Sequence, residues 1–346
     1  MTAAAPVDTE RLAAFLEREL PDFRGPLQLT KFQGGQSNPT YRLDTAGGSY
    51  VMRSKPGPAA KLLPSAHAIE REFRVMRALA GQGLPVPQAL LLVEDEDIIG
   101  RAFYVMQHVE GRIFWEQSLP GLTPTERSAI YDEMNRVLAQ LHSVDVEHAG
   151  LADYGRAGNY FERQIGRWSK QYRASETEPI EAMDQLMAWL PQHIPPGDET
   201  TVVHGDYRMD NLIFHPTEPR IIAILDWELS TLGHPLADFA YHCMSWHIAP
   251  GGFRGIAGLD LAALGIPSEN EYIARYVQRT GRAPIPESNW NFCLAYNLFR
   301  IAAILQGVYK RATEGLASSD DALQHGKNAR MLAGLGWTYA QRAQRA

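Results

Sequence analysis

The chain has 346 residues and a mass of 38.6 kDa; 45% of it is hydrophobic, 21% charged, and the mean hydropathy is −0.27. That much apolar material excludes a largely disordered chain and suffices for two domains or one two-lobed unit. Lys and Arg number 33 against 40 Asp and Glu, giving a net charge of −7 and an isoelectric point near 5.9, so no nucleic-acid partner is expected. The two cysteines, Cys243 and Cys293, cannot build a disulfide framework or a four-ligand zinc site, and they read as small buried hydrophobes in a reducing compartment. No run reaches the roughly eighteen uninterrupted apolar residues of a membrane span. The longest candidate lies around Phe299–Leu305, with Arg300 and Lys310 limiting it. Met1–Pro6 has no basic region followed by an apolar run, so a cytoplasmic chain without signal peptide or membrane partner is expected.

In chain order, Asp8–Leu20 places Leu12, Phe15, Leu16 and Leu20 at helical spacing, with Asp8 or Thr9 as N-cap and Pro21 as the stop. Residues 27–56 then read as three antiparallel strands. A glycine turn at Gln33-Gly-Gly-Gln-Ser-Asn-Pro39 and a Gly47-Gly48 hairpin separate them. A helix over about Ser65–Ala80 carries Ile69, Phe73, Met76 and Leu79 on one face, and Gly81, Gly83, Pro85 and Pro87 end it. Two strand-like runs follow, Ala89–Glu94 and Ala102–His108. After Gly111 the pattern turns helical, with helices over Thr125–His142, Asn159–Tyr172 and Ile180–Leu190 and again from about Asp238 onward. One interruption of short β-like runs stands at 201–227. This order predicts an α+β, bilobal protein: a small, mostly β lobe over 1–107, a hinge over 108–112 and a mainly helical lobe over 113–346. Ligands favour such clefts.

The densest polar block is His204-Gly-Asp206-Tyr-Arg208-Met-Asp-Asn211, followed by Ile221-Ile-Ala-Ile-Leu-Asp226-Trp-Glu228. One apolar run delivers His-Gly-Asp, an Asn lies five residues beyond that Asp, and a second apolar run delivers another Asp fifteen residues later. Phosphoryl transfer calls for this set: a carboxylate to orient the attacking hydroxyl, an amide oxygen and a carboxylate for Mg²⁺, and a cation for the moving charge.

The block resembles that of the aminoglycoside phosphotransferase and choline kinase family, which shares the protein-kinase fold. The resemblance implies Asp206 as catalytic base, Arg208 as the cation screening the transferring phosphate, and Asn211 and Asp226 as Mg²⁺ ligands. It extends over most of the chain. Gly34-Gly-Gln-Ser-Asn38 sits where the phosphate-covering loop belongs, implying nucleotide contacts from Gly35, Ser37 and Asn38, although Ser37 and Asn38 also suit a simple turn. Arg71-Glu72-Phe73 matches the helix that carries a Glu, and Gln107 and Val109 fall on the connecting segment expected to touch the nucleotide. Leu138-Ala-Gln-Leu-His142 and Pro235-Leu-Ala-Asp238 resemble further family helices, the Asp being one that usually braces the catalytic loop. The stretches G-G-Q-S-N-P-T-Y, K-L-L-P-S-A-H and D-N-L-I-F-H-P-T-E-P are most similar to the kinase-like domain fused to acyl-CoA dehydrogenases in animals and its free-standing bacterial relatives.

The chain departs from this pattern in two places. The third strand carries Arg53 where Lys is usual, with Lys55 on the same face as an alternative clamp, and Arg is not a drop-in replacement for Lys. His234 stands where many relatives carry Asp. Glu228 fits either the metal shell or a cap. His204 reads as a structural hydrogen-bonder, and His242, Cys243 and His247 read as buried helix residues rather than metal ligands. Along Asn159–Tyr172, Arg163, Arg167 and Lys170 recur at helical spacing with Glu162 alone opposing them. A basic helix suits a carboxylate, a phosphate or coenzyme A better than a polycation. The resemblance thus implies a Mg-ATP-dependent kinase acting on the hydroxyl of a small anionic molecule, a hydroxy acid or hydroxyacyl-CoA. An aminoglycoside or amino-alcohol kinase and a nucleotide-binding pseudokinase are the alternatives. Oligomeric state is not legible.

Overall fold

In a computed structural model of the chain, the described residues are 7–32, 38–56, 68–251, 254–315 and 326–346. They form two compact units. The smaller takes the chain up to Ile113 and then twice takes short returns, Glu147–Tyr154 and Asn211–Ser230; the larger takes Phe114–Val146, Gly155–Asp210 and Thr231–Ala346. The division is therefore not a single cut along the sequence.

The smaller unit is built on a five-stranded antiparallel sheet in the order β1-β2-β3-β5-β4 (Gln28–Lys31, Thr40–Thr45, Gly48–Ser54, Phe103–Gln107, Ala89–Val93). Strand alternation assigns its two faces separate tasks. Leu43, Met52, Phe103 and Val105 point to one side, where Leu12 and Leu16 of α1 (Thr9–Glu19) complete an apolar core. Val51, Arg53, Tyr104 and Met106 point to the other, and the register pairs Val51 with Met106 and Arg53 with Tyr104. Helix α2 (Ile69–Gly81) packs against β4 and β5. Its Phe73 ring lies 6.1 Å from that of Tyr104. The expected start of α2 at Ser65 lies outside the described residues.

A two-stranded hairpin, β7 (Leu212–Phe214) and β8 (Ile221–Ile224), completes this unit. Ile224 N–H donates to Pro85 O, and Arg112 and Phe214 exchange backbone hydrogen bonds at 2.8 Å. Gly111 permits this approach, since a Cβ there would stand 2.3 Å from Phe214 O.

The larger unit is helical: α3 (Pro124–His142), α4 (Tyr160–Ser175), α5 (Glu181–Trp189), α6 (Pro235–Cys243), α7 (Leu261–Leu264), α8 (Glu269–Thr280), α9 (Glu287–Thr313) and α10 (Asn328–Ala343), with β6 (Thr201–Val203) paired to β9 (Thr231–Gly233). The capping box Thr123–Glu126 starts α3, and Ser268–Glu271 does the same for α8. Helix α9 is the one described helix long and apolar enough to cross a membrane. Its apolar window is 78% buried inside the protein, and it packs against α10, α4 and α6 as the core helix of this unit.

Candidate active site

The smaller unit carries a cavity of about 310 Å³. Its walls are apolar side chains such as Val51, Met76, Met106 and Leu225, and Gln107 and Val109 lie on its rim segment. Arg53, Asn211 and Asp226 form its polar end. Apolar walls with a few convergent polar groups suit a flat heterocycle joined to a charged tail.

Arg53 is the hub of that polar end. Its guanidinium stands 3.0 Å from Glu72 Oε2, 3.0 Å from Asp226 Oδ1 and 2.9 Å from Glu228 Oε2. Burial disfavours its charge, but Glu72 and the other two carboxylates outweigh burial and hold Arg53 above its ordinary pKa. Burial raises the pKa of Glu72, and Arg53 works against that rise. Glu72 also accepts hydrogen bonds from Asn38 Nδ2 at 3.0 Å and from the Tyr104 hydroxyl at 3.1 Å. Asn38 therefore braces Glu72 here. Lys55 pairs instead with Glu70, at 3.2 Å, which leaves Arg53 as the cation of the cavity. Gly35 and Ser37, the other residues expected on the phosphate loop, lie outside the described residues.

Asn211 and Asp226 come together through the hairpin. Pairing of Leu212 with Ile224 puts the residue before β7 and the residues after β8 at one end, and Leu225 N–H donates to Asn211 O at 2.8 Å. Asp226 has φ 63° and ψ 65°, a left-handed conformation that is costly for a residue with a Cβ and typical of functional strain. Among the described residues no cluster of three His, Cys, Asp or Glu side chains has metal-site geometry. The amide oxygen of Asn211 and the carboxylate of Asp226 nonetheless fit Mg²⁺, a hard cation that takes few protein oxygens and completes its shell from phosphates and water.

The loop His204–Asp210 belongs to the larger unit. Strand β6 delivers it, and Asp238 in the first turn of α6 fixes its backbone. His204 N–H donates to Asp238 Oδ2 at 2.7 Å and Gly205 N–H to Oδ1 at 2.8 Å. Gly205 needs its missing side chain, having φ +81°. His142 Nε2 reaches the same carboxylate at 3.2 Å, and its Nδ1 meets the Tyr276 hydroxyl at 2.7 Å. Burial lowers the pKa of His142; burial also works to raise Asp238, but the hydrogen bond and charge of His142, together with His204, outweigh it and hold the carboxyl below its usual value. His204 Nδ1 accepts the backbone N–H of Asp206 at 3.1 Å, a structural task.

Asp206 sits at the loop's centre with Oδ2 3.2 Å from Arg208 Nε, while Oδ1 accepts a 2.5 Å hydrogen bond from the Tyr241 hydroxyl. Arg254 Nη2 donates to Asp210 Oδ2 at 2.7 Å. Arg208, Arg254, Tyr241 and Gln117 line a small cavity whose apolar side is Met244 and Ile248; no carboxylate residue is in its lining. A groove along α4 is lined by Arg156, Arg163, Arg167 and Lys170, with Glu162 the acidic residue of its lining and Asp198 close to Arg163.

His234 works as the N-cap of α6: its Nδ1 accepts Leu236 N–H at 3.2 Å, a role in which Asp is common. His242 and His247 are held by Tyr272, Glu269 and Tyr339, and Cys243 is buried. Tyr241, Arg254 and Arg300, whose Nη2 donates to Gly205 O at 2.6 Å, are neighbours of the loop that motif reading did not supply. The one available signal was that Tyr241 lies three residues beyond Asp238 on one helix, and so on the same face.

Comparison with known proteins bears on the family. Residues 28–284 match the phosphotransferase enzyme family. Acyl-CoA dehydrogenase family member 10 of Mus musculus is 51% identical over 319 residues, covering 91% of this chain and 29% of that protein. Member 11 of Homo sapiens is 43% identical over 344 residues, covering 97% and 43%. The chain thus spans less than half the length of these relatives. Among solved structures, a candidate aminoglycoside phosphotransferase from Ralstonia eutropha JMP134 is 61% identical, with a TM-score of 0.89 over 97% of this chain and 99% of that one. Spectinomycin phosphotransferase APH(9)-Ia, solved with ADP and spectinomycin, shares the fold at 14% identity, a TM-score of 0.64 and coverage of 97% and 99%. The α+β kinase-like architecture and the match over most of the chain place it plainly: the chain belongs to the phosphotransferase enzyme family.

Proposed function

We infer that the protein transfers the γ-phosphate of MgATP to the hydroxyl of a small anionic molecule, a hydroxy acid or a hydroxyacyl-CoA. The observation that carries the nucleotide half is the polar end of the smaller unit's cavity, where Arg53 meets Asp226 beside Asn211. In this reading the apolar walls take the adenine, and Gln107 and Val109 line its edge. Arg53, held in place by Glu72, faces the phosphates. Asn211 and Asp226 would hold Mg²⁺, which when bound neutralises charge on the β- and γ-phosphates.

Asp206 is the base of this mechanism. It orients the acceptor hydroxyl and takes its proton as the new O–P bond forms and the β,γ-bridging bond breaks, releasing ADP. Arg208 screens charge on the moving phosphoryl group. Asn211 follows Asp206 by five positions along the chain.

The preference for an anion rests on the cavity beside Asp206, which presents Arg208 and Arg254 and no carboxylate residue. A polycationic aminoglycoside would meet like charge there. The cations of the α4 groove act in the same sense; among the described residues no ion pair engages Arg156, Arg163, Arg167 or Lys170. The names of the acyl-CoA dehydrogenase relatives favour an acyl-CoA thioester within the anionic class.

The test is ADP release from MgATP over a panel of hydroxy acids and hydroxyacyl-CoA thioesters set against aminoglycosides and amino alcohols, with Asp206→Asn as control. Turnover with the anionic half, reduced roughly 10²- to 10⁴-fold in the variant while nucleotide affinity stays, is the expected result. Turnover confined to the cationic half would overturn the anionic acceptor. MgATP binding without turnover on any acceptor would favour a pseudokinase.

A further inference from the structure

We propose that Tyr241 is a positioning residue for proton transfer: its hydroxyl claims Oδ1 of Asp206, so that Oδ2 is the oxygen that takes the acceptor's proton. The inference rests on the reading of Asp206 as base. The two oxygens of a carboxylate are chemically equivalent, and rotation about the Cβ–Cγ bond exchanges them; a fixed donor on one of them removes that equivalence. Tyr241 supplies such a donor at 2.5 Å, within the range of a charge-assisted O–H···O⁻ bond.

The donor is itself held from behind. The Arg300 guanidinium lies 5.1 Å from the centre of the Tyr241 ring and 5.7 Å from that of Trp168. Its Nη2 donates to the carbonyl of Gly205, the residue before Asp206, at 2.6 Å. One buried cation therefore fixes both the phenol ring and the peptide that carries the carboxylate. Arg300 makes no ion pair among the described residues, and Asp206 is the carboxylate that helps keep it charged. The charged and titratable groups facing Asp206 include Tyr241 of α6, Arg300 of α9, and Arg208 and His204 of its own loop.

Burial raises the Tyr241 phenol well above its ordinary pKa, so it keeps its proton through the cycle. The acceptor's proton passes to Oδ2 as its oxygen bonds to phosphorus, and the electron pair of the broken β,γ-bridge leaves on ADP. Asp206 ends neutral with Oδ2–H, and Tyr241 still donates to Oδ1.

Tyr241→Phe tests this. Its ADP release is measured with the most active acceptor of the panel and with water as acceptor. The expected result is a roughly 10- to 100-fold loss in kcat, the size of one charge-assisted hydrogen bond, with KM for ATP unchanged. The acid limb of the kcat–pH profile moves to higher pH, because a carboxylate that loses a donor protonates more easily. Tyr207→Phe is the structural control, since that buried hydroxyl bonds Met134 O and not Asp206; it should leave the acid limb in place. Site-specific 3,5-difluorotyrosine at position 241 keeps the shape and strengthens the donor, and it should move the acid limb to lower pH. Wild-type kcat and acid limb in Tyr241→Phe, or no shift with the fluorinated residue, overturns the proposal. If Asp206→Asn keeps its turnover, it is the base assignment that fails instead.

Discussion

The Arg53 cluster and the His204–Asp210 loop solve one problem, fixing charged groups at a site, by opposite means. In the smaller unit a single guanidinium gathers three carboxylates from distant parts of the chain, so side-chain charge holds the geometry. In the larger unit one buried carboxylate, Asp238, gathers backbone N–H groups, so peptide hydrogen bonds hold it. The first arrangement sets three carboxylates against one guanidinium, a surplus of negative charge that a bound cation would offset. In the second, Tyr241 and Arg208 position the Asp206 side chain. Under the proposed function, a site for a cation and a polyphosphate would be tuned by ion pairs, and a base by the rigidity of its loop.

The comparison breaks most visibly at Arg53. Arg53→Met leaves Glu72 buried without its counter-charge, and we expect a loss of about 3–5 kcal/mol in stability. MgATP affinity should fall with it, and Arg53→Lys should recover part of both in denaturant titration and nucleotide binding. Unchanged stability in Arg53→Met would mean that Glu72 is not held by charge.

Acid sharpens the other side. Burial lowers His242 from 6.5 to about 4. A group whose folded pKa is depressed contributes stability above its unfolded pKa and loses it as pH falls through the folded value. His242 therefore costs the larger unit about 3 kcal/mol on descending from pH 6.5 to about 4. His242→Gln should flatten the stability curve in that window, and an unaltered slope would remove His242 as its cause. The smallest effect is expected on the α4 groove. Arg163→Glu with Arg167→Glu should raise the acceptor KM about 10-fold with kcat and nucleotide affinity unchanged, and most of the increase should vanish at high salt. An unmoved KM would restrict the anionic contact to Arg208 and Arg254.

The same contrast explains what the sequence disclosed. Period-two alternation through Tyr50-Val-Met-Arg53 put Arg53 and Val51 on one face, and the structure has them there. The short apolar runs flanking Asn211 and Asp226 were legible, and the structure adds their pairing as a hairpin, which brings the two residues together. Strand β9 was not read: it is three residues long, and its partner β6 lies 28 residues upstream, measured from Val203 to Thr231. Arg300 escaped notice as a loop residue because it sits within a continuous apolar helix, 94 residues beyond Asp206. Only packing shows that its guanidinium reaches Gly205. Glu228 left two local roles open, and the pairing that places it, with Arg53, spans 175 positions.

The left-handed backbone at Asp226 sets durability against activity. Any residue with a Cβ resists that conformation and glycine accepts it freely, so the peptide would relax if the carboxylate were given up. An Asp226→Gly chain would shed that tension but also forfeit the ion pair with the buried Arg53 guanidinium. A survey that scores variants by abundance would therefore read the balance of backbone strain against charge at this position, and nothing of the chemistry proposed for it.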